Sequence, residues 1–235
     1  MILPRHVAVV MDGNRRWARK MGFANPSVGH RAGAEHVEDL LGWCSELGIA
    51  HVTVFVCSRD NLLKRDSDEV DHLMRMVEEV IAGRRNPQWQ LHVAGRLDIL
   101  PASTRDALRQ AIGDSAETGR HLTVAIGYDG RDEIVDAVRS LLRHEAAHGA
   151  SASDLASRVS TEDISRHLYT ATRPDPDLVI RTSGERRLSG FLPWQSAHSE
   201  LYFSDAYWPG FTKAHFQRAL RTYAKRPSRR AKALR

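Results

Sequence analysis

Residues 6–17 read HVAVVMDGNRRW, an apolar run that passes directly into a polar turn. The run is short and rich in β-branched residues, which is typical of a strand buried on both faces of a sheet. The turn begins Asp12-Gly13-Asn14, and these residue types favour tight turns and helix starts. The stretch therefore predicts a buried strand that leads into a helix.

The same alternation continues along the chain, with short apolar runs separated by stripes of helical spacing. Strands that alternate with helices favour right-handed crossovers and a mostly parallel sheet covered on both faces. Ser160 and Asp163 have the spacing of a capping box at one helix start. We expect an α/β fold with six strands, at 6–11, 51–57, 91–94, 122–126, 178–180 and 200–203, and helices around 34–47, 70–81, 107–112, 134–142, 164–168 and 214–223.

Length and composition indicate one folded domain. The chain has 235 residues, of which 42% are hydrophobic and 27% charged, so disordered and collagen-like classes are excluded. Lys and Arg exceed Asp and Glu by 34 to 29, a net charge of +5 that favours anionic ligands without identifying one. We expect a domain at residues 1–225 and a basic tail at 226–235.

The two cysteines, Cys44 and Cys57, are too few for a disulfide scaffold or a zinc ribbon. They fit a cytoplasmic protein. The first apolar run is interrupted by Asp12, far too early for a signal peptide or a membrane span. We therefore expect neither export nor stable membrane insertion.

Polar and basic segments follow four of the predicted strands. Ligands of open α/β sheets bind at the carboxyl ends of the strands, so these segments should meet at one cleft. Guanidinium groups, a carboxylate and glycine turns gathered there predict a site for diphosphate and Mg²⁺, although each segment alone would also fit a capped helix with a solvated basic face. The segments are residues 12–17, 58–65, 127–131 and 181–189.

The first segment illustrates the chemistry. Gly13 would let the backbone approach a phosphate at a helix N-terminus, and Arg16 could add a bidentate contact. Asp12 is the acid of this turn, and a carboxylate beside phosphates suits Mg²⁺, which binds one or two carboxylates together with phosphate oxygens and water. Asp12 could instead cap the helix.

Several common enzyme classes lack their motifs in this sequence. It contains no Walker A motif, no G-x-G-x-x-G after a strand and no G-x-S-x-G elbow. A P-loop NTPase, a dinucleotide-binding domain and an α/β-hydrolase are therefore disfavoured. His144 and His148 have H-E-x-x-H spacing, but we expect both at the surface or the edge of the core and also disfavour a zinc metallohydrolase.

Four blocks of the sequence resemble the cis-prenyltransferases, the family of undecaprenyl diphosphate synthase. Residues 6–18 resemble the opening signature of that family, and residues 175–203, DPDLVIRTSGE onward, resemble its isopentenyl diphosphate segment. Residues 29–34 and 127–131 resemble two further blocks in the expected order. Overall the chain is most similar to short-chain actinobacterial members such as Z,E-farnesyl diphosphate synthase.

The resemblance implies a homodimeric, Mg²⁺-dependent α/β enzyme with a hydrophobic tunnel. Such an enzyme joins an allylic diphosphate, such as dimethylallyl or geranyl diphosphate, to isopentenyl diphosphate and leaves a new cis double bond. By matching position, the allylic diphosphate would be bound by Gly13, Asn14, Arg15, Arg16, Trp17, His30 and Arg65, and the isopentenyl diphosphate by Arg181, Arg187 and Ser189. Asp12, Ser58 and Asn61 would be catalytic, Asp12 and Glu200 would hold Mg²⁺, and Val56 would limit chain length.

Val56 replaces the small alanine of long-chain members, and the stretch from Val70 to Val93 is shorter than theirs, so the resemblance implies a short product of about C10 to C15. One segment departs from the family pattern: Asp60 stands where the family has Glu, and no proline follows it. The alternative is head-to-middle condensation of two allylic diphosphates to a branched, lavandulyl-type product, as in some relatives of this fold.

Two other classes of function fit less well. A noncatalytic partner subunit would be expected to lose Asp12 or the Arg181 segment, and both are intact. A nucleic-acid-binding module would be expected to show an aromatic platform or a recognition motif, and neither is present. We therefore expect small diphosphates as partners, with no nucleic acid.

Overall fold

The computed structural model describes residues 1–64, 67–82, 88–115 and 117–225. Within these residues, six strands form one sheet in the order β3-β4-β2-β1-β5-β6, and every neighbouring pair is parallel. The strands are β1 (His6–Val10), β2 (His51–Ser58), β3 (Gln90–Ala94), β4 (His121–Tyr128), β5 (Leu178–Arg181) and β6 (Glu200–Phe203).

Helices connect the strands and cover the sheet. The α-helices of the described segments are α1 (Asn14–Lys20), α2 (Ser27–Glu46), α3 (Arg59–Lys64), α4 (Ser67–Ala82), α5 (Ala102–Gly113), α6 (Gly130–Ala147), α7 (Ala152–Arg158), α8 (Thr161–Ser165) and α9 (Lys213–Lys225). Short 3-10 helices lie at Leu97–Ile99 and Trp208–Gly210. No helix of the described residues combines the length and apolar character that a membrane span requires.

The predicted α/β class and all six predicted strands are confirmed, with strand ends within two residues of the expected positions. The six predicted helices are present, and Ser160 and Asp163 form the expected capping box, in which the Asp163 amide donates to the Ser160 hydroxyl. Helices α3 and α7 were not predicted, because both are too short to show an apolar stripe. The proposed tail at 226–235 lies outside the described residues.

Alternate residues of β1 pack into two separate cores, one on each face of the sheet. Val7 and Val9 belong to the larger core, to which α2, α4, α5 and α9 contribute. Ala8 and Val10 belong to the smaller core on the other face, which includes Tyr128. Because successive side chains of a strand point to opposite faces of the sheet, a strand covered on both sides needs an uninterrupted apolar run, as at residues 6–11.

The amino ends of the strands carry a group of histidines. His6 is 4% exposed, and its ring nitrogens lie 2.7 Å from the Pro174 carbonyl and 2.8 Å from the Thr53 hydroxyl. Burial lowers the pKa of His6 to about 4. At His51, burial and then repulsion from neighbouring positive charge also lower the pKa to about 4. These rings are therefore neutral in the folded protein near neutral pH.

The neutral histidines predict sensitivity to acid. Between about pH 6.5 and 4 the unfolded chain binds protons at His6 that the folded chain does not bind, so the free energy of unfolding falls as the pH drops through that window. His6 alone should account for about 2 kcal/mol of that loss at pH 5. We expect urea unfolding at pH 7.5, 6 and 5 to show this loss, and His6→Gln to reduce its slope.

His144 provides the matched control, because it is an exposed histidine on α6. The variant His144→Gln should keep the pH dependence of the unaltered protein. An equal slope in His6→Gln and the unaltered protein would contradict the assignment.

Candidate active site

A polar cleft of about 710 Å³ lies at the carboxyl edge of the sheet. As the sequence predicted, the segments that follow β1, β2, β4 and β5 all contribute to it. These segments meet because parallel strands end at the same edge of a sheet. The polar residues lining the cleft are Asp12, Asn14, Arg15, Arg16, Arg19, His30, Ser58, Asp60, Asn61, Asp129, Arg181, Glu185, Arg187 and Ser189.

Arg181, the last residue of β5, is the buried cation of the cleft, with 5% of its surface exposed. Its Nη2 donates to Asp12 Oδ2 at 2.9 Å, and its Nη1 donates to the Ser189 hydroxyl at 2.7 Å and to the Arg187 carbonyl. Its Nε is buried without a hydrogen-bond acceptor among the described residues. The guanidinium is thus held in a fixed orientation, with its Nε–H unused by the described residues.

Asp12 is ionised by its surroundings. Partial burial alone would raise the pKa of its carboxyl, but the hydrogen bond and charge of Arg181, together with the charge of Arg16, bring that pKa below its ordinary value. The Asp12 amide also donates to the Thr182 hydroxyl at 3.0 Å, which fixes the backbone. Asp12 does not cap α1: the N-cap position is Gly13, with no side-chain cap.

Arg16 lies on the other side of Asp12. Its Nη2 donates to the Ser183 hydroxyl at 2.7 Å and lies 3.4 Å from Asp12 Oδ1, while its guanidinium carbon is 5.5 Å from the centre of the Tyr207 ring. Two arginines therefore flank one carboxylate, so the cleft carries excess positive charge where a diphosphate would bind.

Gly13 places the start of α1 at the cleft. It has φ +101°, and a Cβ there would lie 2.8 Å from Tyr207 and 2.9 Å from Ser183. Two glycines of α2 are also closely packed. A Cβ at Gly29 would lie 2.1 Å from the Asn14 carbonyl oxygen, and a Cβ at Gly33 would lie 2.5 Å from the Asn14 side chain. These glycines let α2 approach α1 closely and bring His30 to the cleft.

Ser58 and Asn61 occupy the segment after β2. The Ser58 hydroxyl accepts a hydrogen bond from the Asn61 amide at 3.0 Å and so caps the short helix α3. The neighbouring Asp60 carboxylate accepts from Lys64 at 2.5 Å, and that hydrogen bond lowers the pKa of Asp60. Ser58 and Asn61 both line the cleft.

An apolar pocket of about 100 Å³ adjoins the cleft. It lies between α2, α4 and the sheet, and its walls are mainly valine, leucine and methionine. The two cavities share six lining residues, which marks where one opens into the other: Met11, Asn14, His30, Phe55, Val56 and Leu73.

Most of the site residues expected from the sequence lie in this cleft, but three do not. Arg65 lies outside the described residues. Trp17 stacks on Phe23 at 6.1 Å between ring centres and is not among the residues that line the cleft. The contact of Trp17 with the allylic substrate stays a prediction, and in this structure its ring packs against Phe23.

Glu200 is the third exception. It opens β6 and is paired in register with Leu178, the first residue of β5, whereas Asp12 follows the carboxyl end of β1. Glu200 therefore lies near the amino edge of the parallel strands, and the structure does not bring it to Asp12 within one chain. The sequence placed Glu200 near the motif but did not show which end of its strand it occupies.

Sequence reasoning also missed Tyr207 and the role of Ser183. Tyr207 packs against Arg16, and Ser183, in the left-handed region at φ +77°, accepts the hydrogen bond of Arg16. Ser183 lies in the quoted segment 181–189, but no local pattern marks it as a partner of Arg16. The contact arises only when β1 and β5 lie side by side.

The donor set of the cleft fits a hard divalent cation that is bound together with a substrate. No group of three or more His, Cys, Asp or Glu side chains in the described part of the chain could hold a metal ion by itself. Asp12 supplies an ionised carboxylate at the cleft. Mg²⁺ commonly binds one or two carboxylates and takes its other ligands from phosphate oxygens and water, so Asp12 suits it.

Comparisons with known proteins are consistent along the whole chain. Residues 10–231 match the family model described as putative undecaprenyl diphosphate synthase. An isoprenyl transferase of Streptomyces fradiae is 57% identical over 97% of this chain and 90% of its own length. A (2Z,6E)-farnesyl diphosphate synthase of Thermobifida fusca is 51% identical over 96% of this chain and 89% of its own length.

A solved structure shares the fold. The lavandulyl diphosphate synthase of Lavandula x intermedia, crystallised with dimethylallyl diphosphate, superposes with a TM-score of 0.87 at 33% identity. The match covers 96% of this chain and 97% of that one.

The Gly13 geometry predicts a large loss of stability in Gly13→Ala. The variant would add a left-handed strain of about 1–2 kcal/mol to an overpacking cost of about 1–3 kcal/mol. Gly22→Ala is the matched control, because Gly22 has φ +83° and nothing within 4 Å of its would-be Cβ. Chemical denaturation should show a larger loss at Gly13 than at Gly22, and equal losses would contradict the close packing against Tyr207.

Proposed function

This chain belongs to the cis-prenyltransferase family of undecaprenyl diphosphate synthase, and from that premise we propose that it condenses isopentenyl diphosphate with a short allylic diphosphate. The product is a short Z-prenyl diphosphate of about C10 to C15. The observation that carries the proposal is the buried Arg181, which contacts Asp12 and Ser189 and whose Nε has no acceptor among the described residues. Relatives named (2Z,6E)-farnesyl diphosphate synthase, which cover nearly the whole chain, support the short product.

The arginines of the cleft stabilise charge that develops during the reaction. When the allylic carbon–oxygen bond breaks, its electron pair leaves with the diphosphate, so positively charged groups beside that diphosphate lower the barrier. Arg15, Arg16 and the amides near Gly13 hold the allylic diphosphate in this proposal, with His30 nearby. Because Arg16 is fixed by Ser183 and Tyr207, it needs little reorganisation.

The second substrate binds on the β5 side of the cleft. Arg181, Arg187 and Ser189 hold the isopentenyl diphosphate, whose alkene electrons form the new carbon–carbon bond with the allylic carbon. A proton then passes from C2 of the isopentenyl unit to the released diphosphate, and the electrons of that carbon–hydrogen bond form the new double bond. Ser58 and Asn61, ordered together at the start of α3, orient this substrate and assist the proton loss.

We assign the divalent cation as Mg²⁺, held by Asp12 together with substrate oxygens. Prenyl diphosphate synthases generally use a divalent metal, and when bound it would neutralise diphosphate charge. The ionised Asp12 is fixed between Arg181 and Arg16. Its carboxylate would therefore hold the cation without first having to lose a proton.

We also propose that two copies of the chain pair. Val135 and Leu142 are 46% and 47% exposed and lie seven residues apart on α6, so they share one face. Leu201 is 38% exposed on β6, one of the two edge strands of the described sheet. Exposed apolar groups of this kind suit an interface, and sedimentation analysis should show a dimer.

The alternative is head-to-middle condensation of two allylic diphosphates. The likeness to the lavandulyl diphosphate synthase structure and the Asp60 departure favour it. Purified protein with Mg²⁺ should therefore be incubated with labelled dimethylallyl or geranyl diphosphate, with and without isopentenyl diphosphate. Mass spectrometry and NMR of the dephosphorylated products should show a linear cis product that requires isopentenyl diphosphate, whereas a branched product from allylic substrate alone would establish the alternative.

Removing either member of the Asp12–Arg181 pair should nearly abolish turnover. Loss of one strong, preorganised donor typically lowers the rate by about 10²- to 10³-fold, so we expect at least that from Arg181→Ala in a steady-state assay. Asp12→Ala removes the acceptor that orients Arg181 and should cause a similar loss. Arg109→Ala is the control, because Arg109 lies on the exposed face of α5 and pairs only with Asp106 in the described contacts. Near-normal turnover in both site variants would defeat the assignment.

Val56 is expected to limit the length of the product. It lies where the cleft opens into the apolar pocket, and Val56→Ala would widen that opening by two methyl groups. Product analysis with excess isopentenyl diphosphate should show longer chains than in the unaltered enzyme. An unchanged distribution would remove Val56 as a length-determining residue.

A further inference from the structure

Among the described residues that line the apolar pocket, the one carboxylate is Glu38 of α2. The residues that α2 presents to the pocket have the spacing of a single helix face: His30, Gly33, Ala34, Val37 and Glu38. His30 lines both the cleft and the pocket, whereas Glu38 lines only the pocket. Eight residues separate them, or about 12 Å along the helix axis, so Glu38 lies far from the diphosphate end.

Helix α4, which forms the wall opposite α2, also runs from the cleft into the pocket. On α4, Leu73 lines both cavities, and Val80, two turns later, lines only the pocket. Seven residues at 1.5 Å each separate them by about 10 Å. Both helices therefore run from the cleft into the pocket over a similar length, and Glu38 and Val80 belong to the deep end.

The sheet forms the third wall and confirms this depth. Val56, near the carboxyl end of β2, lines both cavities, whereas Leu122 and Leu91 line only the pocket. Leu122 is paired with Val52, four residues before Val56 on β2, and with Leu91 on β3. Four strand residues span about 13 Å, which agrees with the length measured along the helices.

A hydrocarbon chain would gain free energy along most of this pocket and lose it at the deep end. Contact with valine, leucine and methionine removes apolar surface from water and is favourable. A chain that reached Glu38 would instead displace water from a carboxylate. That desolvation is unfavourable whether or not a cation pairs with the carboxylate.

We propose that the Glu38 carboxylate disfavours further elongation, and so limits product length together with Val56, because an added isoprene unit would have to press against a charged group at the deep end of the pocket. The proposal rests on the proposed function and deepens it. It assigns to Glu38 a role distinct from that of Val56, which lies at the mouth of the pocket and acts through its volume. Glu38 is in this sense a specificity-determining residue that touches the growing chain.

The test compares Glu38→Gln and Glu38→Met with the unaltered enzyme. Both substitutions nearly conserve the volume of the side chain and remove its charge, and two are used so that a folding defect in one leaves the other to decide. Glu35→Gln is the control, because Glu35 is an exposed acid one turn earlier on the same helix. Each protein is checked by thermal unfolding and then incubated with Mg²⁺, geranyl diphosphate and excess labelled isopentenyl diphosphate.

Mass spectrometry of the dephosphorylated products gives the readout. We expect the folded Glu38 variants to make products at least one isoprene unit longer than those of the unaltered enzyme, and Glu35→Gln to make the same products as that enzyme. Unchanged product lengths in the folded Glu38 variants would overturn this inference and leave the proposed function standing. An unaltered enzyme whose product needs no isopentenyl diphosphate would overturn the proposed function and this inference together.

Discussion

The buried guanidinium of Arg181 is the constraint on which the site depends. A cation that is 5% exposed must find a counter-charge and oxygen acceptors, because an unpaired buried charge is costly. Asp12 supplies the charge from the end of β1, and Ser189 supplies an acceptor from the loop after β5. The pair therefore requires β1 and β5 to be neighbours in register, which they are, with Val10 opposite Arg181.

Local patterns identified the strands and most helices, because burial on both faces of a sheet leaves a continuous apolar run in the sequence. They could not give the order of the strands, which depends on contacts between distant residues such as Asp12 and Arg181. The sequence does mark the start of helix α7, because Ser151 and Asp154 form a capping box like the one at Ser160. Helix α3 had only the Ser58 cap, and its six residues offer no periodicity.

The candidate site was predictable to the extent that it follows from strand ends. Four segments after strands were expected to meet, and the parallel sheet brings all four to one cleft. The prediction did not show that Trp17 packs on Phe23 instead of lining the cleft. It also failed to place Glu200, because a residue's position along its strand depends on register, and Glu200 begins β6 instead of ending it.

One helix, α2, lines both the polar cleft and the apolar pocket. At its start α2 must lie close enough to α1 for His30 to reach the cleft, and this is possible because Gly29 and Gly33 leave room for Asn14. Farther along, the same helix face becomes the wall of a hydrocarbon pocket. A ligand with a charged head and an apolar tail fits this arrangement, because the arginines of the cleft stabilise the head and burial in the apolar pocket stabilises the tail. In the proposed function, the orientation of the allylic substrate is therefore set before any reaction begins, with its diphosphate beside Arg15 and Arg16 and its tail between α2 and α4.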